Sequence, residues 1–309
     1  MGRIFMRTYT CYQVDAFTET IFSGNPASVI LDATNLTDDE MQQIAREFNN
    51  SETAFIIPSL NPNYDVHIRF FTPTNEVPIC GHATIAAHFI RALTLKLKNQ
   101  RVYQKTKAGI LPVDIILEEN SYRIVMTQGN VKFGDILSPS LCSSLQNALG
   151  ITPTDINCNF PIQIVSTGHS KVMVPINNLN LLHRLQPNLE KLKSISKQIE
   201  CNGFYIFTLT PNEKVLVHGR MFAPAIGISE DPVTGNANGP LGAYLFRYYK
   251  ELIKANKLHF FARQGESMGR AGIIEVTISI ENEKISQVQV AGKATLVFQT
   301  KITLPDSQA

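Results

Sequence analysis

The pattern of apolar and polar positions predicts strands that surround two buried helices. Residues 66 to 71 alternate between apolar and more polar side chains, which is the period-two pattern of a half-buried strand. A loop and a glycine follow, and the segment from 82 to about 97 is then apolar nearly all round. Such a helix is buried rather than amphipathic. A second one is predicted from 236 to about 250, with Pro240 in its first turn, where proline is tolerated.

Capping and turn signals predict a surface helix and two hairpins beside these buried helices. Residues 37 to 40, Thr-Asp-Asp-Glu, form a capping box that opens a helix from about Asp38 to Phe48. The stretch 179–200 is predicted to supply its counterpart in the second half. Polar turns separate the paired strands of each predicted hairpin, which are 113–117 with 122–126 and 273–280 with 285–290.

The two halves of the chain resemble each other at an offset of about 151 residues. The matching segments, in order, are 13–16 with 164–167, 52–56 with 203–207, 69–73 with 220–224 and, after a slip of three residues, 80–83 with 234–237. Several matches in one order indicate a duplicated domain. We therefore predict an α+β fold of two pseudo-symmetric domains, 1–126 and 127–293, each with strands around one central helix.

Composition and charge exclude several classes of protein. The 309 residues are 44% hydrophobic and 17% charged, which suits two globular domains. A net charge of +2 gives no field that would favour nucleic acid or an anionic membrane, and no apolar run approaches the ~18 residues of a membrane span. The five cysteines include no Cys-x-x-Cys pair, and the sequence opens without a signal-like apolar stretch. We predict a cytoplasmic protein without a structural metal.

The starts of the two buried helices are the first candidate for chemistry. Gly81-His82 and Gly235-Asn236 open them, and a helix start presents unpaired N–H groups and a positive dipole end. If the halves are related by a pseudo-twofold axis, both starts can face one cleft and bind a carboxylate or a developing oxyanion. Each glycine on its own would only permit a tight turn.

A carboxylate that the duplication does not repeat is the second candidate. Glu52 precedes an apolar strand, and its counterpart is Gly203, so one side of the site could hold a single general acid/base. Alone, Glu52 would be an exposed strand-start carboxylate and His82 a capping or core histidine. Together with Asp231, which precedes the second helix, they form a candidate proton-transfer site.

Cys80 stands immediately before the first buried helix. Thiols at helix starts have lowered pKa values and can act as bases or nucleophiles. A two-thiol racemase would need a second cysteine at the mirrored position, which is Thr234. Cys80 is therefore interpreted as a small buried residue. Phosphate-loop, dinucleotide and serine-hydrolase motifs are absent from the sequence.

These motifs together resemble the PhzF family, which is named for the phenazine-biosynthesis isomerase. They come in the family's order and span nearly the whole chain, as 14–17, 24–27, 50–53, 69–73, 80–84 and 230–237. The resemblance implies the diaminopimelate epimerase-like fold, in which a last strand near 294–304 returns, so that 294–309 completes the first domain. It also implies an active site between the domains, no cofactor or metal, and a homodimer.

The resemblance also suggests roles for individual residues. Glu52 matches the glutamate that shuttles the proton, and the substrate-site residues of the family match Gly81, His82, Asp231 and Gly235. Asn236, which we add to this set, stands where the phenazine enzyme has serine. That enzyme also lacks a cysteine at the position of Cys80, so a different substrate is implied.

Three hypotheses follow for the function. The leading one is a cofactor-independent isomerase that moves a proton on a small carboxylate substrate, with Glu52 as general acid/base. The second is an amino-acid-type epimerase or racemase that uses Glu52 with Cys80, although the racemising relatives use two cysteines. The third is a catalytically silent interaction protein with the same fold. Deuterium exchange at a substrate carbon would separate the enzymes from the silent protein, and loss of chirality would identify the racemase.

Overall fold

The same order of strands and helices occurs twice along the chain. The computed structural model describes residues 6–211 and 213–306. One unit extends to Met126 and includes the C-terminal segment from Gly292, and the other runs from Thr127 to Ala291. The predicted domains and N-terminal start also include residues 1–5, 212 and 307–309, which lie outside the described residues.

The first unit holds one central helix and one outer helix. Its helices are α1 (Asp38–Phe48) and α2 (Gly81–Leu95). Its strands are β1 (Met6–Ala16), β2 (Asn25–Ile30), β3 (Thr53–Pro58), β4 (Val66–Phe71), β5 (Glu76–Val77), β6 (Gln100–Thr106), β7 (Gly109–Glu118) and β8 (Ser121–Thr127). Helix α2 packs against β1, β2, β3 and β7, so the strands cover it on several sides.

The second unit repeats this plan with additional helices. Its strands are β9 (Lys132–Ile136), β10 (Gln163–Ser166), β11 (Ser170–Pro175), β12 (Phe204–Leu209), β13 (Val217–Ala223), β14 (Ile228–Asp231), β15 (Ile253–Lys254), β16 (Lys257–Gln264), β17 (Gly272–Glu281) and β18 (Lys284–Pro305). Its helices are α3 (Pro139–Leu149), α4 (Leu179–Arg184), α5 (Leu189–Ile199) and α6 (Gly235–Tyr248). Helix α6 packs against β10, β11, β16 and β17, as α2 packs against its own strands.

Strand pairing is the same in both units. In the first unit β1 is antiparallel to β2, β2 is parallel to β3, β3 is antiparallel to β4, and β4 is parallel to β6. In the second unit β10, β11, β12, β13 and β16 pair in the same order and the same directions. The two-fold repetition predicted from the sequence is therefore present in the register of the strands.

The last strand is shared between the two units. The early part of β18 pairs antiparallel with β17, from Glu281↔Lys284 to Glu275↔Ala291. Its later part pairs antiparallel with β1 over the whole of β1, from Ala16↔Ala294 to Met6↔Pro305. The returning strand that the resemblance implied is thus continuous with the second strand of the predicted hairpin.

Local sequence signals explain where the helices begin and end. The predicted capping box of α1 is formed, since Thr37 accepts from the Glu40 amide and the Glu40 side chain accepts from the Thr37 amide. Helix α2 is buried along most of its length, as its apolar sequence predicts. It ends at Leu95 rather than Leu97, because Lys96 adopts the left-handed conformation that terminates helices.

One detail of the predicted helices was wrong. Pro240 lies in the second turn of α6 and not in the first, because the helix already begins at Gly235. Proline has no N–H, so the carbonyl of Asn236 lacks its usual partner four residues ahead. The segment 179–200 is helical as predicted and forms the two helices α4 and α5, since Pro187 follows α4 and cannot continue it. Among the helices of the described residues, none is long and apolar enough to cross a membrane.

Candidate active site

Glu52, Cys80 and His82 converge at the start of α2 in the first unit. The Nε2 atom of His82 lies 3.3 Å from Oε2 of Glu52 and 3.2 Å from Oγ of Ser51. The Nδ1 atom of the same ring lies 3.4 Å from Sγ of Cys80. The imidazole therefore links Glu52, the residue before β3, to Cys80, the residue before α2, across 28 positions of sequence.

The exposure of these groups suits a reactive carboxylate held by a buried ring. The side chain of Glu52 is 15% exposed, and that of His82 is 8% exposed. When Nε2 carries its proton it donates to the carboxylate of Glu52, and Nδ1 is then free to accept from the Cys80 thiol. This arrangement fixes the orientation of the carboxylate while leaving part of it accessible.

The first turn of α2 offers backbone donors beside this carboxylate. The side chain of Cys80, which precedes the helix, makes no capping hydrogen bond to the backbone N–H groups of that turn. A Cβ atom added to Gly81 would meet nothing within 4 Å in the described structure, so the glycine borders open space. Uncapped N–H groups and the positive end of the helix dipole make such a start a good anion site.

The start of α6 in the second unit is held by a network of buried side chains. The Thr234 hydroxyl donates to the Asp231 carboxylate, so it does not cap the helix. Gln264 accepts from the Thr234 amide at 3.1 Å and donates to the Asp231 carbonyl at 2.7 Å. Asn238 donates to the Thr234 carbonyl at 3.0 Å. These bonds hold Asp231 against Thr234, the residue that precedes Gly235.

Asn236 contributes a polar atom that the surrounding protein does not satisfy. Its Oδ1 atom is buried and has no hydrogen-bond partner within the described residues. Gln128 donates from Nε2 to the Gly235 carbonyl at 3.0 Å and so occupies the neighbouring acceptor. A buried acceptor without a donor is costly, which makes Asn236 Oδ1 a natural contact for a ligand donor.

An arginine anchors the loop before each of these helices. In the first unit Arg69 donates to Glu76 at 2.9 and 3.1 Å, five residues before Gly81. In the second unit Arg220 donates to Glu230 at 2.8 Å through two nitrogens, five residues before Gly235. The guanidinium of Arg69 holds the pKa of Glu76 below its usual range.

Each bidentate pair holds the segment that leads into its helix, and so restrains the position of the first turn of α2 or α6. Glu230, which precedes Asp231 in β14, is paired with Arg220. The structure thus gives the two neighbouring carboxylates different surroundings.

Within the part of the chain that the structure describes, two clusters of side chains could bind a metal ion. The potential ligand atoms of Glu52, Cys80 and His82 all lie within 4.8 Å of one another, and so do those of His183, His218 and Glu266. In the second cluster both imidazoles contact one carboxylate oxygen, at 2.7 and 3.2 Å. Sequence spacing indicated neither cluster, because each joins residues from distant strands and loops.

The structure brings the candidate residues together in two groups. Glu52, Gly81 and His82 meet in the first unit, and Asp231, Gly235 and Asn236 meet in the second. Their joint action on one ligand stays a prediction. Sequence reasoning missed Ser51 and Gln264 as partners of these residues. Ser51 stands next to Glu52, but Gln264 is 30 residues beyond Thr234 and no spacing rule connects them.

Comparison with known proteins identifies the class of this fold and then the family. A crystal structure of a Bacillus anthracis PhzF-family protein superposes with a TM-score of 0.86 at 34% identity, covering 96% of this chain and 99% of that one. A hydroxyproline epimerase from Agrobacterium vitis shares the fold at a TM-score of 0.65 and 11% identity, covering 99% and 94%. The fold is thus that of the epimerase-like isomerases.

The family is shown by sequence. The family model described as phenazine biosynthesis-like protein, PhzC-PhzF, matches residues 14–300. A protein of Clostridium acetobutylicum named as an uncharacterized isomerase is 54% identical over 300 residues, covering 97% of this chain and 99% of the relative. The chain belongs to the PhzC-PhzF family, and it is an enzyme of the isomerase class.

Proposed function

We propose that this protein is a cofactor-independent isomerase that moves a proton on a small carboxylate substrate. The observation that supports this most directly is the contact between Glu52 and His82 at the start of α2. A partly accessible carboxylate is oriented there by an imidazole, beside backbone donors that the Cys80 side chain does not cap. General acid/base catalysis needs a positioned proton acceptor and a means of stabilising the charge that develops on the substrate.

The proposed cycle uses only residues of this chain. The Glu52 carboxylate removes a proton from a substrate carbon, and the electron pair moves into the adjacent conjugated system. First-turn N–H groups of α2 stabilise the negative charge that this creates on a substrate oxygen. Protonated Glu52 then returns the proton to a different carbon, which restores the carboxylate. Because one proton is removed and one is returned, the cycle is balanced without a redox partner. While the proton is on Glu52, which is 15% exposed, it exchanges with solvent, so deuterium from D₂O can enter the product.

Proton exchange with solvent tests the proposal. The protein is incubated in D₂O with a panel of small carboxylic acids, and ¹H NMR follows loss of carbon-bound protons. Incorporation of deuterium with movement of a double bond supports the isomerase. A panel that shows no exchange with any acid, while the protein is folded, would favour the catalytically silent alternative.

An epimerase that uses Glu52 with Cys80 is the second candidate, because the Cys80 thiol lies in the same cluster at 3.4 Å from His82. We expect Cys80→Ala to keep most activity, since the mirrored position is Thr234 and the proposed cycle needs one acid/base. Iodoacetamide should likewise leave the enzyme active. Complete loss of activity in a folded Cys80→Ala protein, with loss of chirality in trans-4-hydroxy-L-proline by the parent enzyme, would support the epimerase.

A side chain at Gly81 should block the proposed oxyanion site without disturbing the fold. Apart from its chain neighbours and the backbone of its own helix, no atom of the described residues lies within 4 Å of a Cβ built at this position, so Gly81→Val should unfold at nearly the parent temperature. We expect its KM to rise by about tenfold or more, because the valine occupies space meant for substrate. Gly235→Val is expected to abolish binding in the same way.

Ser140→Val is the control for Gly81→Val, since Ser140 is exposed in the first turn of α3. It adds the same side chain near a helix start away from the proposed site. An unchanged KM in Gly81→Val would show that substrate does not approach this turn.

The finer attributes of the enzyme are also part of this proposal. Asp231, Gly235 and Asn236 are assigned to substrate binding, with Asp231 and Asn236 supplying polar atoms beside the α6 start. We propose that the enzyme is cytoplasmic and that it is a homodimer. Sedimentation velocity of the purified protein tests the oligomeric state.

A further inference from the structure

The strand register defines which residues of the two units correspond to each other. In the first unit Ser28 of β2 pairs with Thr53 of β3. One step earlier on each strand stand Ala27 and Glu52, so the proposed proton shuttle has a small residue beside it.

In the second unit the small residue and the ionisable residue have exchanged strands. Val172 of β11 pairs with Phe204 of β12, and one step earlier stand Lys171 and Gly203. Gly203 is the counterpart of Glu52, and Lys171 is the counterpart of Ala27. The ionisable side chain has therefore moved to the neighbouring strand and has the opposite charge.

The lysine side chain fills the space that the glycine leaves. A Cβ atom built on Gly203 would lie 2.4 Å from Cδ and 2.8 Å from Cε of Lys171, and 3.5 Å from its Nζ. Any larger residue at 203 would clash with this stem. The ammonium of Lys171 thus lies next to the point where the counterpart of the Glu52 side chain would begin.

The surroundings of this ammonium leave most of its hydrogen-bonding capacity unused. Lys171 is only 6% exposed, and the hydrogen bond found for Nζ in the described residues goes to the Ser170 carbonyl at 3.2 Å. An ammonium has three protons to donate, and a buried charge is costly unless it is paired. An anionic ligand would supply both the missing acceptors and the opposite charge.

The charged neighbours connect this lysine to the candidate site of the second unit. Burial lowers the pKa of Lys171, while the charges of Cys201 and Asp231 oppose that shift. Asp231 is the residue held before α6 by Thr234 and Gln264. His169, two residues away, has its own pKa lowered by burial and by the positive charge of Lys171.

We propose that Lys171, seated over Gly203, binds an anionic group of the substrate, a carboxylate in the first instance. This inference rests on the proposed function, because the anionic group that Lys171 binds belongs to the substrate of that function. The duplication has in this way produced a base in one unit and a cationic binding group at the equivalent place in the other.

Anion binding can be measured without knowing the substrate. Lysines are labelled with ¹³C at Cε, and the signal of Lys171 is assigned by its loss in Lys171→Met. Acetate is titrated against the protein, with acetamide as an uncharged isostere and with the ionic strength held constant. We expect the Lys171 signal to shift and saturate with acetate and to stay unmoved by acetamide, while the exposed Lys197 signal responds to neither.

Kinetics then separate substrate binding from a purely structural role. Lys171→Met keeps the stem over Gly203 and removes the charge, so we expect KM for the carboxylic acid identified by exchange to rise by about tenfold or more with kcat changed far less. Lys171→Arg should recover part of this loss. Lys197→Met is the matched control on α5 and should behave as the parent.

The outcomes distinguish this inference from the proposed function. Equal responses to acetate and acetamide, or an unchanged KM in folded Lys171→Met while Glu52→Gln abolishes exchange, would overturn the role of Lys171 alone. Undiminished exchange in Glu52→Gln would overturn the proposed function, and the acetate titration would still decide whether Lys171 binds anions.

Discussion

Replacing Glu52 by glutamine is expected to lower turnover by ~10²-fold or more. Glutamine has nearly the shape of glutamate and can still contact Nε2 of His82, so the first turn of α2 should keep its structure. It cannot accept and return a proton at neutral pH, and the carbon–hydrogen bond of the substrate then has no base. Deuterium exchange measured by NMR reports this step directly.

The matched control for this variant is Glu47→Gln. Glu47 is an exposed glutamate on α1, so the same chemical change is made away from the cluster. We expect parent turnover from Glu47→Gln and the same unfolding temperature for both variants. Undiminished exchange in folded Glu52→Gln would exclude this carboxylate from the chemistry.

Acidification from pH 7.5 to 5 should weaken the fold by about 2 kcal/mol through His88 alone. His88 lies inside α2, where it is fully buried and contacts Oε1 of Gln104 at 3.0 Å through Nε2. Burial lowers the pKa of His88 to about 3, from an ordinary value of 6.5. Between these values the unfolded chain binds a proton that the folded chain does not.

The sign of the effect follows from that difference in bound protons. Stability from the neutral ring is fully present above pH 6.5 and is lost as the pH falls towards 3. His88→Gln keeps a polar group near Gln104 but does not titrate here, so its unfolding free energy should fall by about 2 kcal/mol less than that of the parent over this range. Urea unfolding at both pH values measures this.

The exposed His259 provides the comparison for His88. His259→Gln removes a histidine whose side chain is 45% exposed, so this variant measures what the same substitution does where burial is absent. If His88→Gln and the parent lose the same stability between pH 7.5 and 5, the ring of His88 is not kept neutral by burial.

Those parts of the structure that depend on local or repeated sequence could be predicted. The capping box at Thr37, the apolar segment that forms α2 and the offset of 151 residues all act through neighbouring or repeated positions. From these signals the central helices and the duplicated fold could be predicted. Helix ends depend on single backbone conformations, such as that of Lys96, and these were missed by one or two residues.

Contacts between distant residues could not be read from the sequence. Glu52 and His82 were proposed as members of one site, but nothing in their separation shows that Nε2 and Oε2 touch. Lys171 gives only a weak signal, as a charged residue beside the apolar run of β11. Its meaning depends on the register with Gly203, which only the paired strands reveal.

The division of β18 between the two units has a consequence for how the chain folds during its synthesis. The part of β18 that pairs with β17 precedes Gly292, so every strand partner within the second unit is made before residue 292. The first unit emerges earlier, yet one side of β1 has no partner until residues 294–305 follow. Domains of nascent chains generally fold N-terminal first. In this chain the earlier-made unit can be completed only last, with one side of β1 without its β18 partner while the second half is translated.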